Sequence, residues 1–336
     1  MGASIKAIEF YLPKHKVSNE DLLVKFPDYD FAKFEKKVGI RNRYWVSENE
    51  TALDLAVNAC QKLFSKIEKE QIDYVIYCTQ SPEYFLPTTA CILQERLGLS
   101  TEIGAFDYNL GCSGYVYGVS LAKALIESGQ SEHVLLVTTE TYSRYLHPND
   151  KSNRAIFGDG ATATLISKDN VDGLKSFSFG TDGSGAEKLI IKNGAGKFAI
   201  DLDAELLTYG SDNQYTDNHL YMNGPEIFNF TAENIPNFTN KVLERNNLQI
   251  DDLDYFVFHQ ANAFMLEFLR KKVKADKEKF YIDLEDGGNT VSNTIPIALK
   301  RLAQKGLWEG KAKVMIIGFG VGLSWAGGVI EIDTNI

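Results

Sequence analysis

Basic charge is scarce in this sequence. Against 45 Asp and Glu stand 35 Lys and Arg, a formal net charge of −10 over 336 residues. Phosphate backbones are held by basic faces, so a net acidic chain argues against a nucleic-acid partner, although local basic clusters stay open. Long apolar runs are missing too: no stretch approaches the roughly 18 to 20 residues that span a bilayer. The start, Met1-Gly2-Ala3-Ser4-Ile5-Lys6, has no apolar signal core, and Lys6 breaks the pattern that would license myristoylation of Gly2. No membrane partner and a cytoplasmic location are expected. Cysteine is also sparse. Cys60, Cys78, Cys91 and Cys112 show no metal-ligand spacing, which points to reduced thiols and no metal site.

What is present is core-forming residue. At 44% hydrophobic the chain can bury a large core and can hold two domains. Short β-rich runs alternate with amphipathic stretches: Tyr74 to Cys78, a helix-like Ala90 to Leu97, Gly104 to Tyr108, a helical segment Val119 to Ser128, and His133 to Thr139. That rhythm predicts βαβ units and a parallel sheet covered by helices on both faces. Ala161 to Ile166 closes a first half at residues 1–170, and residues 171–336 repeat the pattern. There Leu174 to Phe179 reads as a strand, Pro225 to Asn246 as a long helix, Asp254 to His259 as a strand and Ala263 to Lys274 as a helix. Lys313 to Gly318 and Gly327 to Ile332 finish as strands. Residues 195–221 are polar, acidic, aromatic and poorly periodic, which looks like an insertion or a lid.

Chemistry concentrates at few places. Cys112 stands between a strand and a helix, framed by Gly111 and Gly114, where free N–H groups and the helix macrodipole favour a thiolate. The other three cysteines read as small buried hydrophobes. His259 ends the apolar run Tyr255 to Phe258, at the strand edge where α/β sheets form ligand crevices, and Gln260, Ala261 and Asn262 follow at once. Asn289 lies in the tight turn Gly287-Gly288-Asn289-Thr290 before a helix Ile295 to Ala303. Gly318, Gly320 and Gly322 can present backbone N–H groups to an oxyanion, but no Lys-Ser/Thr follows them as in a phosphate loop.

In order and context, Cys112, His259 to Asn262, Gly288-Asn289-Thr290 and Phe319 to Trp325 resemble the Cys-His-Asn site of the type III beta-ketoacyl-acyl-carrier-protein synthases. Tyr11-Leu12-Pro13, Gly39 to Arg43, Phe157 to Ala161 and Met222-Asn223-Gly224 extend the resemblance over nearly the whole chain. It implies an α/β, thiolase-like five-layered αβαβα fold of two related halves, a homodimer, and an acyl tunnel ending at the cysteine. Cys112 would carry the acyl group, with the backbone N–H groups of Cys112 and Val321 as oxyanion hole. His259 and Asn289 would stabilise the enolate left by decarboxylation of a malonyl group. Leu86, Asn262 and Phe264 match tunnel positions, with Leu86 reaching into the partner's tunnel. No tightly bound cofactor is implied. The substrates would be thioesters of coenzyme A or of acyl-carrier-protein phosphopantetheine, and acyl carrier protein is the expected partner.

Departures bear on specificity. The tryptophan that stacks on the adenine in the family is replaced by Lys33 with Phe34 beside it, and an expected arginine is Phe264. Lys37 and Lys151 keep charge where the family uses arginines, without the planar fork that grips phosphate. Arg270, Lys271 and Lys272 lie where the family docks its acidic carrier protein. Decarboxylative condensation is the leading expectation; the alternative hands the acyl group from Cys112 to an alcohol or amine. A degradative thiolase would need a second cysteine near the C-terminal glycine-rich turn, and none follows Cys112. A hydroxymethylglutaryl-type synthase would need a glutamate base in the site, and the sequence places none: Glu83 falls near the tunnel segment or on a surface loop.

Overall fold

The computed structural model describes residues 2–336. Two sheets form around one buried layer of helices. The first has five strands in the order Gly2–Tyr11, Gly160–Asp169, His133–Glu140, Tyr74–Cys78, Gly104–Tyr108. The second has four, in the order Leu174–Thr181, Ser324–Asp333, Lys311–Gly320, Tyr255–Phe258. Neither sheet is the parallel one that the alternation of elements predicts; both are mixed. Tyr74–Cys78 runs parallel to both its neighbours, but Gly160–Asp169 is antiparallel on both sides, and so is Ser324–Asp333. Strands covered on both faces carry the same apolar run in either direction, so burial pattern alone does not give the direction.

The order and direction of the four shared strands are the same in the two sheets, and an isolated parallel bridge from Phe256 to Phe280 lies where the fifth strand of the first sheet would fall. We infer two related halves that meet near residue 170.

Helices Gly114–Glu127 and Thr294–Gln304 fill the layer between the sheets and touch strands of both. The first starts at Gly114, five residues before the periodic stretch at Val119, directly after the turn at Cys112. Thr294–Gln304 is buried on nearly every face, down to Lys300, whose ammonium meets Glu9 and the Ile336 carbonyl. Ala52–Phe64 and Thr89–Leu97 cover the outside of the first sheet, and Gly224–Arg245 with Ala263–Val273 cover the second. Five layers result. Residues 195–221 fold into a small hairpin, Leu207–Tyr209 with Asn213–Tyr215, pinned to helix Lys151–Ile156 by Tyr209 donating to Asp150 and by Asn213 accepting from the Ser152 N–H. Among the described residues, no helix is long and apolar enough to cross a membrane.

Candidate active site

Strand Gly104–Tyr108 delivers the chain to a turn closed by the Gly114 N–H on the Gly111 carbonyl, 2.7 Å. Cys112 sits on that turn, 6% exposed. The end of strand Lys311–Gly320 passes directly against it. A Cβ at Gly318 would lie 2.6 Å from the Cys112 carbonyl oxygen, and one at Gly320 would lie 2.9 Å from the sulfur. Glycine is therefore required on the facing strand by close approach.

His259 continues strand Tyr255–Phe258 by donating its N–H to the Ile317 carbonyl, 2.8 Å. Its Nδ1 is 2.7 Å from Thr294 Oγ1, and its ring meets Phe319 edge-on at 5.6 Å. Asn289 is held by two backbone bonds, its N–H to the Ile156 carbonyl and its carbonyl from the Gly158 N–H. Its side-chain Oδ1 accepts the Val291 N–H at 2.9 Å, which leaves the amide NH2 as the free end. Val291 adopts φ +58, a conformation a β-branched residue takes only under constraint.

These three residues line one cavity of about 130 Å³. Its walls are apolar: Tyr142, Ile156, Phe157, Leu189, Met222, Ile227, Met265 and Phe319. Asn262 stands at its edge, capping helix Ala263–Val273 through the Met265 N–H.

Other sequence candidates fall outside it. Phe264 is not in the wall; it is 48% exposed and stacked on Phe228, with the Lys37 ammonium 4.9 Å above its ring. Leu86 is 83% exposed on a tip with Tyr84 and Phe85, away from the cavity of its own chain. Lys33, at the position of the family's adenine-stacking tryptophan, is exposed, and Phe34 beside it is packed in the core. Lys151 opens its helix beside Asp150. Arg270 is engaged by Glu267 and the Ala275 carbonyl, while Lys271 and Lys272 remain exposed. Cys60 and Cys78 are buried as expected, but Cys91 is exposed.

Electrostatics overturn one expectation. The N–H groups of Cys112 itself and of Val321 do favour the thiolate, yet burial outweighs them and Glu140 adds to it, so the thiol is pushed up to about 12. Burial likewise pulls His259 down to about 3. Both are neutral in the resting site. Alkylation of Cys112 by iodoacetamide is accordingly expected to climb about tenfold per pH unit from pH 7 to 9; a plateau inside that range would contradict the buried-thiol reading.

Two groups escaped the sequence reading. Thr294 is one. Glu140 is the other, a fully buried carboxyl at the end of strand His133–Glu140 that accepts from the Gln80 N–H, Ser81 Oγ and Ser292 Oγ, none of them a cation. A charged residue closing an apolar run is the signal that picked out His259, and it applied equally here.

A family model of 3-oxoacyl-[acyl-carrier-protein (ACP)] synthase III matches residues 106–183, and the model of its C-terminal part matches residues 243–332. The beta-ketoacyl-[acyl-carrier-protein] synthase III of Clostridium tetani is 35% identical over 96% of each chain. The chain belongs to the beta-ketoacyl-[acyl-carrier-protein] synthase III family. A crystal structure of a 3-oxoacyl-(acyl-carrier-protein) synthase III superposes on this family member with a TM-score of 0.97, at 45% identity over 99% of this chain and 100% of the other. One from Burkholderia xenovorans gives 0.89, at 32% identity over 100% and 96%. The thiolase-like fold is thereby shared along the whole length, and residues 195–221 are not an addition peculiar to this synthase III relative. The matched segments contain Cys112 in the first model and His259, Asn289 and Val321 in the second.

Burial raises Glu140 from its ordinary 4.5 to about 8. Between those values the folded chain holds a proton that the unfolded chain has released, so this group makes stability fall as pH rises from about 4.5 to about 8 and adds no further slope above. Glu140→Gln removes that slope. Denaturant titrations from pH 5 to 9 should show the variant gaining on the parent with rising pH, by on the order of a few kcal/mol across the range; parallel curves would disprove it.

Proposed function

We propose that this chain loads a short acyl group onto Cys112 and condenses it with malonyl-acyl carrier protein, releasing carbon dioxide and a beta-ketoacyl thioester. The observation that carries the reading is the meeting in one apolar cavity of a nucleophile with two backbone N–H groups at its sulfur and two side chains that can end in N–H donors. Cys112 Sγ attacks the donor thioester carbonyl, the old C–S bond breaks, and the departing thiolate takes the cysteine proton. The N–H groups of Cys112 and Val321 would hold the tetrahedral oxyanion. In the second half-reaction the malonyl C–C bond to its carboxylate breaks, the electron pair enters an enolate, and that carbon attacks the acyl carbonyl on Cys112. The sulfur leaves and regains a proton. His259 and Asn289 would donate to the enolate oxygen, a duty that simple transfer to an alcohol or amine would not require.

The cavity volume limits the primer. About 130 Å³ is slightly less than the roughly 150 Å³ that accommodates a benzene-sized guest, so straight acyl groups of about two to five carbons should enter. The exposed cations Lys271 and Lys272 lie on helix Ala263–Val273, whose Met265 lines the cavity, and Lys37 stands over Phe264 of the same helix; together they support docking of an acidic carrier protein or a coenzyme A thioester there. Four free thiols fit a reducing, cytoplasmic setting.

Intact-protein mass should show one acyl adduct with acetyl to butyryl thioesters, little with octanoyl, and none on Cys112→Ala. Malonyl-acyl carrier protein should then discharge the adduct with carbon dioxide release, and Asn289→Ala should keep the adduct while losing release about 100-fold. An acylated Cys112→Ala protein, or discharge without carbon dioxide, would remove the proposal.

Strand Gly104–Tyr108 is an open edge, and the partly buried Phe106 and Tyr108 lie on it. Unpaired edges with apolar side chains recruit another strand, which supports a homodimer built on this edge, with Leu86 offered to the second copy. Sedimentation should report a dimer, and Phe106→Lys a monomer; a monomeric parent at micromolar concentration would refute the assembly.

A further inference from the structure

We propose that Thr294 is a positioning residue that fixes the single proton of His259 on Nε2, the ring nitrogen open to the cavity, so that the histidine meets substrate as a hydrogen-bond donor. The proposal deepens the condensation reading and rests on it for its kinetic arm. A neutral histidine has one N–H, and which nitrogen carries it is set by the partner of the other. Burial keeps His259 neutral, and Thr294 Oγ1, itself buried, is the partner of Nδ1.

The hydroxyl has one proton and three neighbours. Gln260 donates its N–H to Oγ1 at 3.3 Å, so one lone pair is occupied. The Val291 carbonyl is the more distant acceptor for that proton, at 3.2 Å, and also accepts the Thr294 N–H. His259 Nδ1 is nearest, at 2.7 Å. That separation matches the short distances of hydroxyl donors better than the roughly 2.9 to 3.0 Å common for N–H donors. The hydroxyl proton therefore points at Nδ1, Nδ1 is the acceptor, and the ring proton sits on Nε2. Asn289 is oriented by the same device: Val291 N–H ties its oxygen and turns its NH2 outward. Both constraints come from Val291 to Thr294, the short turn that leads into the central helix Thr294–Gln304.

The test reads the tautomer directly. In resting enzyme with 15N-labelled histidine, the His259 signals, assigned by their loss in His259→Asn, should show a protonated Nε2 and a bare Nδ1. Thr294→Val should give a mixed pattern, and Thr294→Ser should restore it. A proton on Nδ1 in the parent, or an unchanged pattern in Thr294→Val, overturns the proposal. Kinetically, the ratio of carbon dioxide release to Cys112 acylation should fall about 100-fold in Thr294→Val and return to within about threefold in Thr294→Ser. An unchanged ratio, or a Ser variant as impaired as Val, overturns it as well. If the parent releases no carbon dioxide, the condensation reading fails, while the NMR result still decides the role of Thr294.

Discussion

The two halves of this molecule touch where backbone meets sulfur. Strand Lys311–Gly320 can pass beside Cys112 only because positions 318 and 320 lack a Cβ, and the distances there leave no room for even a methyl group. Closeness at this seam brings the Val321 N–H to the sulfur and sets His259, one strand over, against the same cavity. It also seals the thiol from water. Burial that places the dipoles thus also suppresses the thiolate, and the structure accepts a neutral nucleophile in exchange for donors at fixed positions.

Neutrality extends through the site. Burial moves Cys112 and Glu140 up and His259 down, so each titratable group is pushed toward its uncharged form. Among the described residues, no Lys or Arg lines the cavity. A cation there would grip a malonyl carboxylate and stabilise the ground state that must be lost. In the proposed condensation, an apolar wall leaves that carboxylate poorly solvated until it departs as carbon dioxide, while charge developing on the thioester oxygen meets N–H dipoles already in place.

Much of this was legible in the chain because its causes are local. Gly111 and Gly114 announced a sharp strand-to-helix turn at Cys112, and an apolar run ending in a polar residue announced His259. Asn289 was legible only through family resemblance, since a turn asparagine has many local explanations. Side-chain direction was not legible: Phe264 occupies the right place in the order of the chain, but it stacks on Phe228 outside the cavity. Arg270 reads as a free cation until Glu267 is seen beside it. The resting state of Cys112 depends on how many atoms surround it, which no motif encodes. Glu140 and Thr294 act through partners far away in sequence, and only folding reveals those pairings.

The matching sheet orders give the site a symmetry that its residues conceal. In the first half the chain leaves strand Gly104–Tyr108, turns at Cys112 and enters the central helix Gly114–Glu127. In the second it leaves the bridge at Phe280, turns at Asn289 and enters the central helix Thr294–Gln304. Cys112 and Asn289 therefore occupy corresponding turns, each just ahead of a central helix. Both helices begin beside residues of the cavity, Gly114 two positions after Cys112 and Thr294 against His259, so the positive ends of two macrodipoles lie near it. On the proposed reading, corresponding turns carry different chemistry, a thiol that attacks and an amide that holds charge. The pairing needs both halves in register, which returns the argument to the glycines that let them touch.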